Sequence, residues 1–366
     1  MTTQPPAIGT PLSELDTPAL LVDLDALEHN FAHISELYAD SVCKMREHAK
    51  NIKTPAILHK QIEAGGTVGG VCAAKVAEAE VMVEGGIKDI LITSQVVTPD
   101  KIARVCSLSR EADTKVAIDD ERNLRLISSI SDRADTDVGV LIEVNTSMDR
   151  AGIRRTEQGI NLARLATDLP GVTFRGVMSH QSISGDPDTE TRFSEGRRWM
   201  QMCVDVGNAI EDAGIPVEIV STGETFTIDV APGMSEVTEV QGGTYALMNT
   251  TSAYMEDFQF AAKILTTVIS RPSDHIAIGD VGYRALAAPN GVLPSVEGHD
   301  DIEVDSLAPD HIILKSQDAM PLRVGDQFLL LSAQQDILVN RWDRFIGVRN
   351  GLVESVWPIL ARGCHH

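Results

Sequence analysis

The sequence has few cysteines, and none of them belongs to a closely spaced pair. Its 366 residues include five cysteines, which are widely scattered and form no CxxC pair. An odd number of isolated cysteines argues against a disulfide framework and against a thiolate zinc site. The pattern is typical of a reducing compartment, and we expect a cytoplasmic protein.

Positive charge is also scarce. There are 31 Lys and Arg residues against 53 Asp and Glu residues, which gives a net charge of −22. A surface this acidic repels nucleic-acid phosphates and anionic lipid headgroups. No stretch approaches 18 apolar residues, and residues 1–18 lack the apolar segment of a signal peptide. We therefore expect neither nucleic acid nor membrane as a partner.

Strand-like and helix-like segments alternate between residues 19 and 249. Short Val- and Ile-rich runs end in polar residues, and Ala/Leu/Glu-rich segments with helical spacing follow them. One helix closes on Gly85-Gly86 and another opens on Pro99-Asp100, as helix ends and starts do. Eight such units fit a (β/α)8 barrel, although alternation alone leaves a doubly wound sheet open. The predicted strands lie in 41–50, 68–74, 89–95, 115–119, 137–145, 173–181, 217–224 and 236–243.

The pattern changes after residue 250. Strand-like runs are separated there by Gly, Pro and Asp, with no convincing helix between them. The sequence thus predicts an α/β chain with a TIM-type (β/α)8 barrel over 19–249. An all-β domain over 250–366 follows it, and we expect residues 1–18 to contribute to that domain.

Several predicted strand ends carry reactive side chains, and the active site of a barrel lies at those ends. Lys50 ends the first strand, Arg150 follows the fifth, and His180 ends the sixth. A lysine screened from water can form a Schiff base with a carbonyl compound, although a salt-bridged rim lysine would give the same pattern. The Thr/Gly-rich segments 221–225 and 241–245 are either ordinary turns or a phosphate site built from backbone amides. Together these features favour a phosphorylated cofactor that bears an aldehyde.

Six motifs resemble one enzyme family, in matching order from residue 16 to residue 363. They are DTPALLVDLDALEHN (16–30), REHAK (46–50), GVCAAKVAEAE (70–80), EVQGGTYALMN (239–249), DVGYRAL (280–286) and GVRNGLVESVWPILARG (347–363). On these motifs the sequence resembles the D-threonine aldolase, D-serine dehydratase and 3-hydroxy-D-aspartate aldolase family. The resemblance implies a fold-type III enzyme with an alanine racemase-like barrel, a β domain and pyridoxal phosphate (PLP). It also implies a small amino-acid substrate and a homodimer.

The resemblance implies roles for individual residues. Lys50 and His180 would be the catalytic residues, with Lys50 bound covalently to PLP and His180 near its ring. Arg150 would face the pyridine nitrogen. Further cofactor contacts would come from Thr222, Gly223, Glu224, Thr225, Gln241 and Tyr245. Substrate contacts would come from His48, Gln181, Tyr283, Asp310 and His311, although Asp310-His311 could equally be a β-turn with a surface histidine.

Two positions depart from the family pattern. Ile52 stands where the family usually has a histidine, and Gln334-Gln335-Asp336 stands where the family carries a His-x-Cys or His-x-Asp metal site. A neutral amide is a poor ligand for transition metals, and one carboxylate does not hold a divalent ion tightly. We therefore expect a lost or weakened metal site and assign no metal ligand.

Three functions follow from these observations. The leading prediction is a PLP-dependent lyase that cleaves or dehydrates a D-configured β-hydroxy-α-amino acid. The second is an amino-acid racemase or epimerase, because 147–152 and 178–180 are similar to alanine racemases; Lys50 would be one base and His180 or Tyr283 the other. A non-catalytic PLP-binding protein is disfavoured, since such proteins are single barrels without a β domain.

Overall fold

The computed structural model describes residues 4–181 and 188–366, and these divide into two compact units. The barrel unit comprises, of the described residues, 34–50, 55–181, 188–243 and 364–366. The sheet unit comprises 4–33, 51–54 and 244–363. The first strand, β1 (Ala19–Asp23), lies in the sheet unit, and helix α1 (Leu24–Leu37) runs from one unit into the other.

The barrel unit contains a closed barrel of eight parallel strands, in which each strand pairs with the next and the last pairs with the first. This confirms the predicted (β/α)8 fold and excludes the doubly wound sheet. The strands are β2 (Lys44–His48), β3 (Thr67–Ala73), β4 (Asp89–Ile92), β5 (Asp113–Ile118), β6 (Val138–Glu143), β7 (Val172–Met178), β8 (Ile219–Ser221) and β9 (Glu239–Gly242).

Helices connect the barrel strands, and local sequence signals set several of their ends. Pro99 occupies the first turn of α4, where its missing N–H removes no helical hydrogen bond. The Asp120 carboxylate caps α5 by accepting from the amides of Arg122 and Asn123. The helices are α2 (Pro55–Ala64), α3 (Val76–Glu84), α4 (Pro99–Leu108), α5 (Glu121–Arg133), α6 (Thr156–Asp168) and α7 (Thr189–Asp212).

The two ends of the barrel differ in chemistry. Near the amino-terminal ends of the strands, the buried Arg46 guanidinium bridges Glu239 and Asp89, with nitrogen–oxygen distances of 2.5 and 2.7 Å. Lys115 adds ion pairs to Asp89 and Asp113 at 2.8 and 2.7 Å. These carboxylates begin β9, β4 and β5, so the buried cations are neutralised at the end opposite to the reactive side chains.

The sheet unit is built on a nine-stranded sheet in which β1 occupies a central position. β1 pairs antiparallel with β10 and parallel with β16. Both partners lie more than 230 residues further along the chain. Two short helices, α8 (Thr244–Leu247) and α9 (Gln335–Val339), also belong to this unit. The remaining strands are β10 (Ala262–Ser273), β11 (Ile276–Gly279), β12 (Ser295–Val296), β13 (Ile302–Leu307), β14 (Ile312–Ser316), β15 (Gln327–Leu331), β16 (Arg344–Arg349) and β17 (Leu352–Pro358).

The division of the chain differs from the predicted domain limits. Residues 19–33, 51–54 and 244–249, which we predicted as part of the barrel, lie in the sheet unit. The buried Ala19-Leu20-Leu21-Val22 run fits any central strand, so its composition does not reveal its pairing partners. Among the described residues that precede it, Gly9 and Leu12 donate backbone hydrogen bonds to Val353 and Gly351. Across both described ranges, every helix is too short or too polar to span a bilayer.

Candidate active site

Lys50 lies one turn beyond a barrel strand. β2 ends at His48, and the 3-10 turn Ala49–Asn51 then carries Lys50 onto the rim. The Lys50 amide donates to His48 Nδ1 at 3.5 Å, and His48 Nε2 lies 3.4 Å from Thr93 Oγ1. These side chains line a cavity of about 240 Å³, which we call the rim cavity. Its lining residues are His48, Lys50, Ala74, Thr93, Ser94, Gln95, Glu143, Arg150 and Ala151.

Arg150 reaches this cavity from a loop that is held at its base. Val144 and Ile153 form a β-bridge, and the Ile153 amide donates to the Glu143 carbonyl at 2.8 Å. The Gly152 amide donates to Asp119 Oδ2 at 2.8 Å. Gly152 has φ +99°, and a Cβ there would lie 2.6 Å from the Asn145 nitrogen, so the closing turn requires glycine. The loop conformation therefore fixes where Arg150 enters the site.

His180 lies close enough to Lys50 and Arg150 for their positive charges to affect its pKa. Its side chain keeps some solvent exposure, yet burial by the surrounding protein, followed by the charges of Lys50 and Arg150, lowers its pKa to about 3. The ring is therefore a neutral imidazole at physiological pH. The structure thus brings together Lys50, Arg150 and His180, three of the residues that we predicted to lie around the cofactor.

Two rim residues escaped the sequence analysis. Glu143 ends β6 and is buried, and Gln95 follows β4. Gln95 Nε2 donates a short hydrogen bond to the Glu143 carboxylate. Burial raises the Glu143 pKa, while the Gln95 hydrogen bond and the Arg150 charge act in the opposite direction. The available signal was an acidic residue at the end of an otherwise apolar strand, 138–143.

The predicted phosphate segment after β8 is tightly hydrogen-bonded. Gly223 has φ +98°, and a Cβ there would lie 3.0 Å from Thr227 Oγ1. Thr222 Oγ1 accepts from Gln181 Nε2 at 2.8 Å. The Glu224 amide donates to Thr227 Oγ1 at 2.9 Å, so a phosphate would have to displace that bond to use this amide. We call residues 222–227 the phosphate loop, after the role that we predict for them.

The phosphate loop is linked to its neighbours on both sides. The Gly243 amide, just after β9, donates to Thr225 Oγ1 at 3.1 Å. Gln241 Nε2 donates to Ser221 Oγ at 3.0 Å. Arg192 in the first turn of α7 donates to the Phe226 carbonyl and to Asp229, each at 2.8 Å. Helix α7 therefore anchors the far end of the loop.

The other predicted site residues lie in the sheet unit. Tyr245 is fully buried, with its ring centroid 6.4 Å from that of Phe31. Tyr283 is 50% exposed, and its carbonyl accepts from Arg341. Asp310 pairs with Arg284 at 3.1 Å on the surface. His311 is also exposed.

The segment 334–336, where we predicted a lost or weakened metal site, lies at the start of helix α9. Gln335 is buried and accepts from Asn249 Nδ2 at 2.6 Å, while its own Nε2 donates to the Thr244 carbonyl at 2.9 Å. The Asp336 carboxylate accepts from the Ile337 amide. In the part of the chain that the structure describes, no cluster of three or more His, Cys, Asp or Glu side chains is placed to bind a metal.

Comparison with known proteins decides the family. Residues 22–250, more than half of the chain, match the family described as "Alanine racemase, N-terminal domain", and 261–348 match "Putative serine dehydratase domain". The 3-hydroxy-D-aspartate aldolase of Paracoccus denitrificans (strain Pd 1222) is 32% identical, over 97% of this chain and 94% of that protein. The chain belongs to the D-threonine aldolase and 3-hydroxy-D-aspartate aldolase family.

Two further relatives agree with this membership. The D-threonine aldolase of Arthrobacter sp. is 30% identical over 98% of this chain and 96% of that protein. The crystal structure of D-threonine aldolase from Filomicrobium marinum superposes with a TM-score of 0.95 at 31% identity, covering 99% and 100% of the two chains. Alanine racemases also match, at lower identity and over about half of this chain. The family and fold expected from the sequence motifs are therefore confirmed, and family membership implies PLP.

Proposed function

We propose that this protein is a PLP-dependent lyase that acts on D-configured β-hydroxy-α-amino acids. The observation that carries the proposal is the convergence of Lys50, Arg150 and His180 at the carboxyl-terminal rim of the barrel. The relatives that match nearly all of this chain are named 3-hydroxy-D-aspartate aldolase and D-threonine aldolase.

The residues at the rim fit PLP. The rim cavity offers a lysine amine for the aldehyde and a guanidinium for a hydrogen-bond acceptor on the ring. Gly223 leaves room at the phosphate loop that a Cβ would fill, because that atom would lie 3.0 Å from Thr227 Oγ1 and 3.2 Å from Val240. A glycine at such a place permits close approach of an anion to the backbone.

We assign the residues as follows. Lys50 holds the cofactor, Arg150 donates to the pyridine nitrogen and keeps it unprotonated, and the phosphate loop binds the phosphate through backbone amides. Bound PLP supplies an electron-withdrawing ring that stabilises negative charge next to the amino-acid Cα. With a pKa of about 3, His180 accepts a proton only weakly, so we assign it the role of orienting the cofactor ring by hydrogen bonding.

Cleavage and dehydration differ in what they demand at the substrate β-hydroxyl. Cleavage needs a base there, whereas dehydration needs a base at Cα and an acid at the leaving oxygen. Lys50 and His48 both line the rim cavity, and we assign these proton transfers to them. At Gln334 and Asp336 the donor set is one amide and one carboxylate, which suits weak Mg²⁺ or Ca²⁺ binding better than zinc.

The racemase alternative has weaker support, because the alanine racemases match at lower identity and over about half of this chain. A racemase needs two opposed bases at Cα, and Lys50 with either His180 or Tyr283 would have to supply them. We further propose that the protein is a cytoplasmic homodimer, in line with the family resemblance. The presence of the sheet unit also argues against a PLP carrier without turnover.

A substrate screen tests the proposed function. The PLP-loaded protein is incubated with D-threonine, D-serine and the D-3-hydroxyaspartates. Glycine with an aldehyde reports cleavage, and a 2-oxo acid with ammonia reports dehydration. Lys50→Ala should abolish either activity, while Lys60→Ala, an exposed lysine on α2, should retain it. Formation of the L-enantiomer without lyase products would instead support the racemase, and no turnover of any substrate would contradict both.

A further inference from the structure

Gln181 is a fully buried side chain that lies just after β7, next to His180. Its Nε2 donates to Thr222 Oγ1 at 2.8 Å. This bond joins the segment after β7 to the first residue of the phosphate loop. Gln181 is not among the described residues that line the rim cavity, and the role assignments above leave it without a function.

One end of the Gln181 amide is bonded and the other is not. Among the described residues, Gln181 Oε1 has no hydrogen-bond partner. A buried amide oxygen without a donor destabilises the folded state, and an apolar side chain of similar shape would avoid that cost. The stability of the fold therefore does not by itself account for a glutamine here. The bond to Thr222 is the contact that an apolar side chain could not make.

Thr222 is held by its side chain and by its backbone. Ser179 Oγ lies 2.6 Å from Thr222 Oγ1, and the Thr222 amide donates to the Glu239 carbonyl at 2.9 Å. The phosphate loop leaves the barrel at the next residue, Gly223, whose φ is +98°. The conformation of Thr222 therefore sets the direction in which the loop starts.

The backbone around Gln181 is itself anchored. The Ser179 amide donates to the Ser221 carbonyl at 3.0 Å, which extends the pairing of β7 with β8. Thr146 Oγ1 donates to the His180 carbonyl at 3.3 Å from the other side. The Gln181 side chain thus reaches Thr222 from a fixed base.

We propose that Gln181 is a positioning residue of the phosphate loop, whose hydrogen bond to Thr222 Oγ1 keeps the backbone amides of that loop directed at the cofactor phosphate. This inference rests on the proposed function, because it assumes that PLP binds with its phosphate at residues 222–227. It differs from the substrate contact that the family resemblance implies for Gln181. Gln181 acts through Thr222 and need not touch the cofactor.

The comparison of PLP with pyridoxal, which lacks the phosphate, separates this role from a general contribution to folding. Gln181→Met removes the donor, while Ser179 still provides a partner for the Thr222 hydroxyl. We expect the Kd of PLP to rise by between about threefold and tenfold, the effect of losing one hydrogen bond, in an absorbance titration of the PLP-free protein. The Kd of pyridoxal should not change.

Variants of Thr222 show whether the effect passes through its hydroxyl. Thr222→Val should weaken PLP binding at least as much, and Gln181→Met should add nothing in that background. Thr222→Ser keeps the hydroxyl and should bind PLP as the wild type does. The matched control is Gln201→Met, which removes a hydrogen bond to Asp205 within α7 and should leave both Kd values unchanged.

Three results would overturn the inference. They are an unchanged PLP Kd in Gln181→Met, equal weakening of PLP and pyridoxal binding, and a higher KM for the amino-acid substrate with an unchanged PLP Kd. The last of these would assign Gln181 to the substrate instead. If Gln181→Met does not fold, Thr222→Val carries the test, and an unchanged PLP Kd there would refute the role.

Failure of this inference can be told apart from failure of the proposed function. If the wild-type protein does not bind PLP at all, the proposed function fails. If the wild type and the variants bind PLP equally well, only the positioning role fails.

Discussion

Three charged side chains determine the chemistry available at the rim, and two strand ends supply them. Lys50 follows β2, Glu143 ends β6, and Arg150 lies on the loop after β6. His180 differs from them, since burial and the two cations hold it neutral with a pKa of about 3. Binding of an anionic phosphorylated cofactor would offset the charge of those cations, but it would not remove the burial that is the larger cause of the lowered pKa.

Gly223 provides a test of the phosphate loop at a single position. Valine there would place Cβ 3.0 Å from Thr227 Oγ1 and impose a strained φ of +98°. We expect Gly223→Val to raise the Kd of PLP at least about tenfold, because the loop must shift away from the phosphate. Gly69→Val is the matched control, since Gly69 has φ +76° and an added Cβ there would meet nothing within 4 Å. If Gly223→Val binds PLP as tightly as the wild type does, the phosphate loop does not hold the phosphate in the way that we propose.

Gln334 provides a test of the metal expectation. An amide oxygen and the Asp336 carboxylate form a poor site for transition metals, so most of the activity should survive exhaustive EDTA treatment. Gln334→His restores the family spacing of two ligands and should increase zinc or manganese binding, measured by metal analysis after dialysis. Stoichiometric metal in the dialysed wild type, or activity lost to EDTA and recovered with Mn²⁺, would show that the site is intact.

At the level of elements, the anchoring of the phosphate loop by α7 has a measurable consequence. Arg192 is 6% exposed and donates to Phe226 and to both Asp229 oxygens. Arg192→Met leaves these acceptors without their donor, so we expect a loss of roughly 1–3 kcal/mol in the free energy of unfolding, together with weaker PLP binding.

The control for this helix is Arg198→Met, which removes an exposed ion pair to Glu195. Pairs of that kind contribute about 0–1 kcal/mol, so chemical denaturation should barely distinguish this variant from the wild type. Equal losses in Arg192→Met and Arg198→Met would mean that Arg192 does not anchor the loop.

The elements also show which parts of the fold were predictable. Seven of the eight barrel strands were visible as apolar runs with polar ends, and the polar segment 41–50 was found because the spacing required it. β1 was assigned to the wrong unit, because Ala19–Val22 pairs with strands that lie far away in sequence. Glu143 was missed for a related reason: a carboxylate at a strand end becomes informative only once Gln95 and Arg150 are known to surround it.

At the level of the whole molecule, the family motifs are distributed over two units with different contents. The barrel unit holds Lys50, Arg150, His180 and the phosphate loop, and the sheet unit holds Tyr283, Asp310 and His311 at exposed positions. The roles of those three residues toward substrate stay predictions. The sheet unit depends on β1 at its centre, so it is not an independent carboxyl-terminal module.

The covalent position of the cofactor tests the account most directly. The PLP-loaded protein is reduced with borohydride and digested, and the peptide that carries the pyridoxyl group is identified by mass spectrometry. We predict a single modified residue, Lys50, and no stable modification in Lys50→Ala. A pyridoxyl group on Lys53, Lys60 or Lys75 in place of Lys50, or none on the wild-type chain, would contradict the assignment of the rim as the active site.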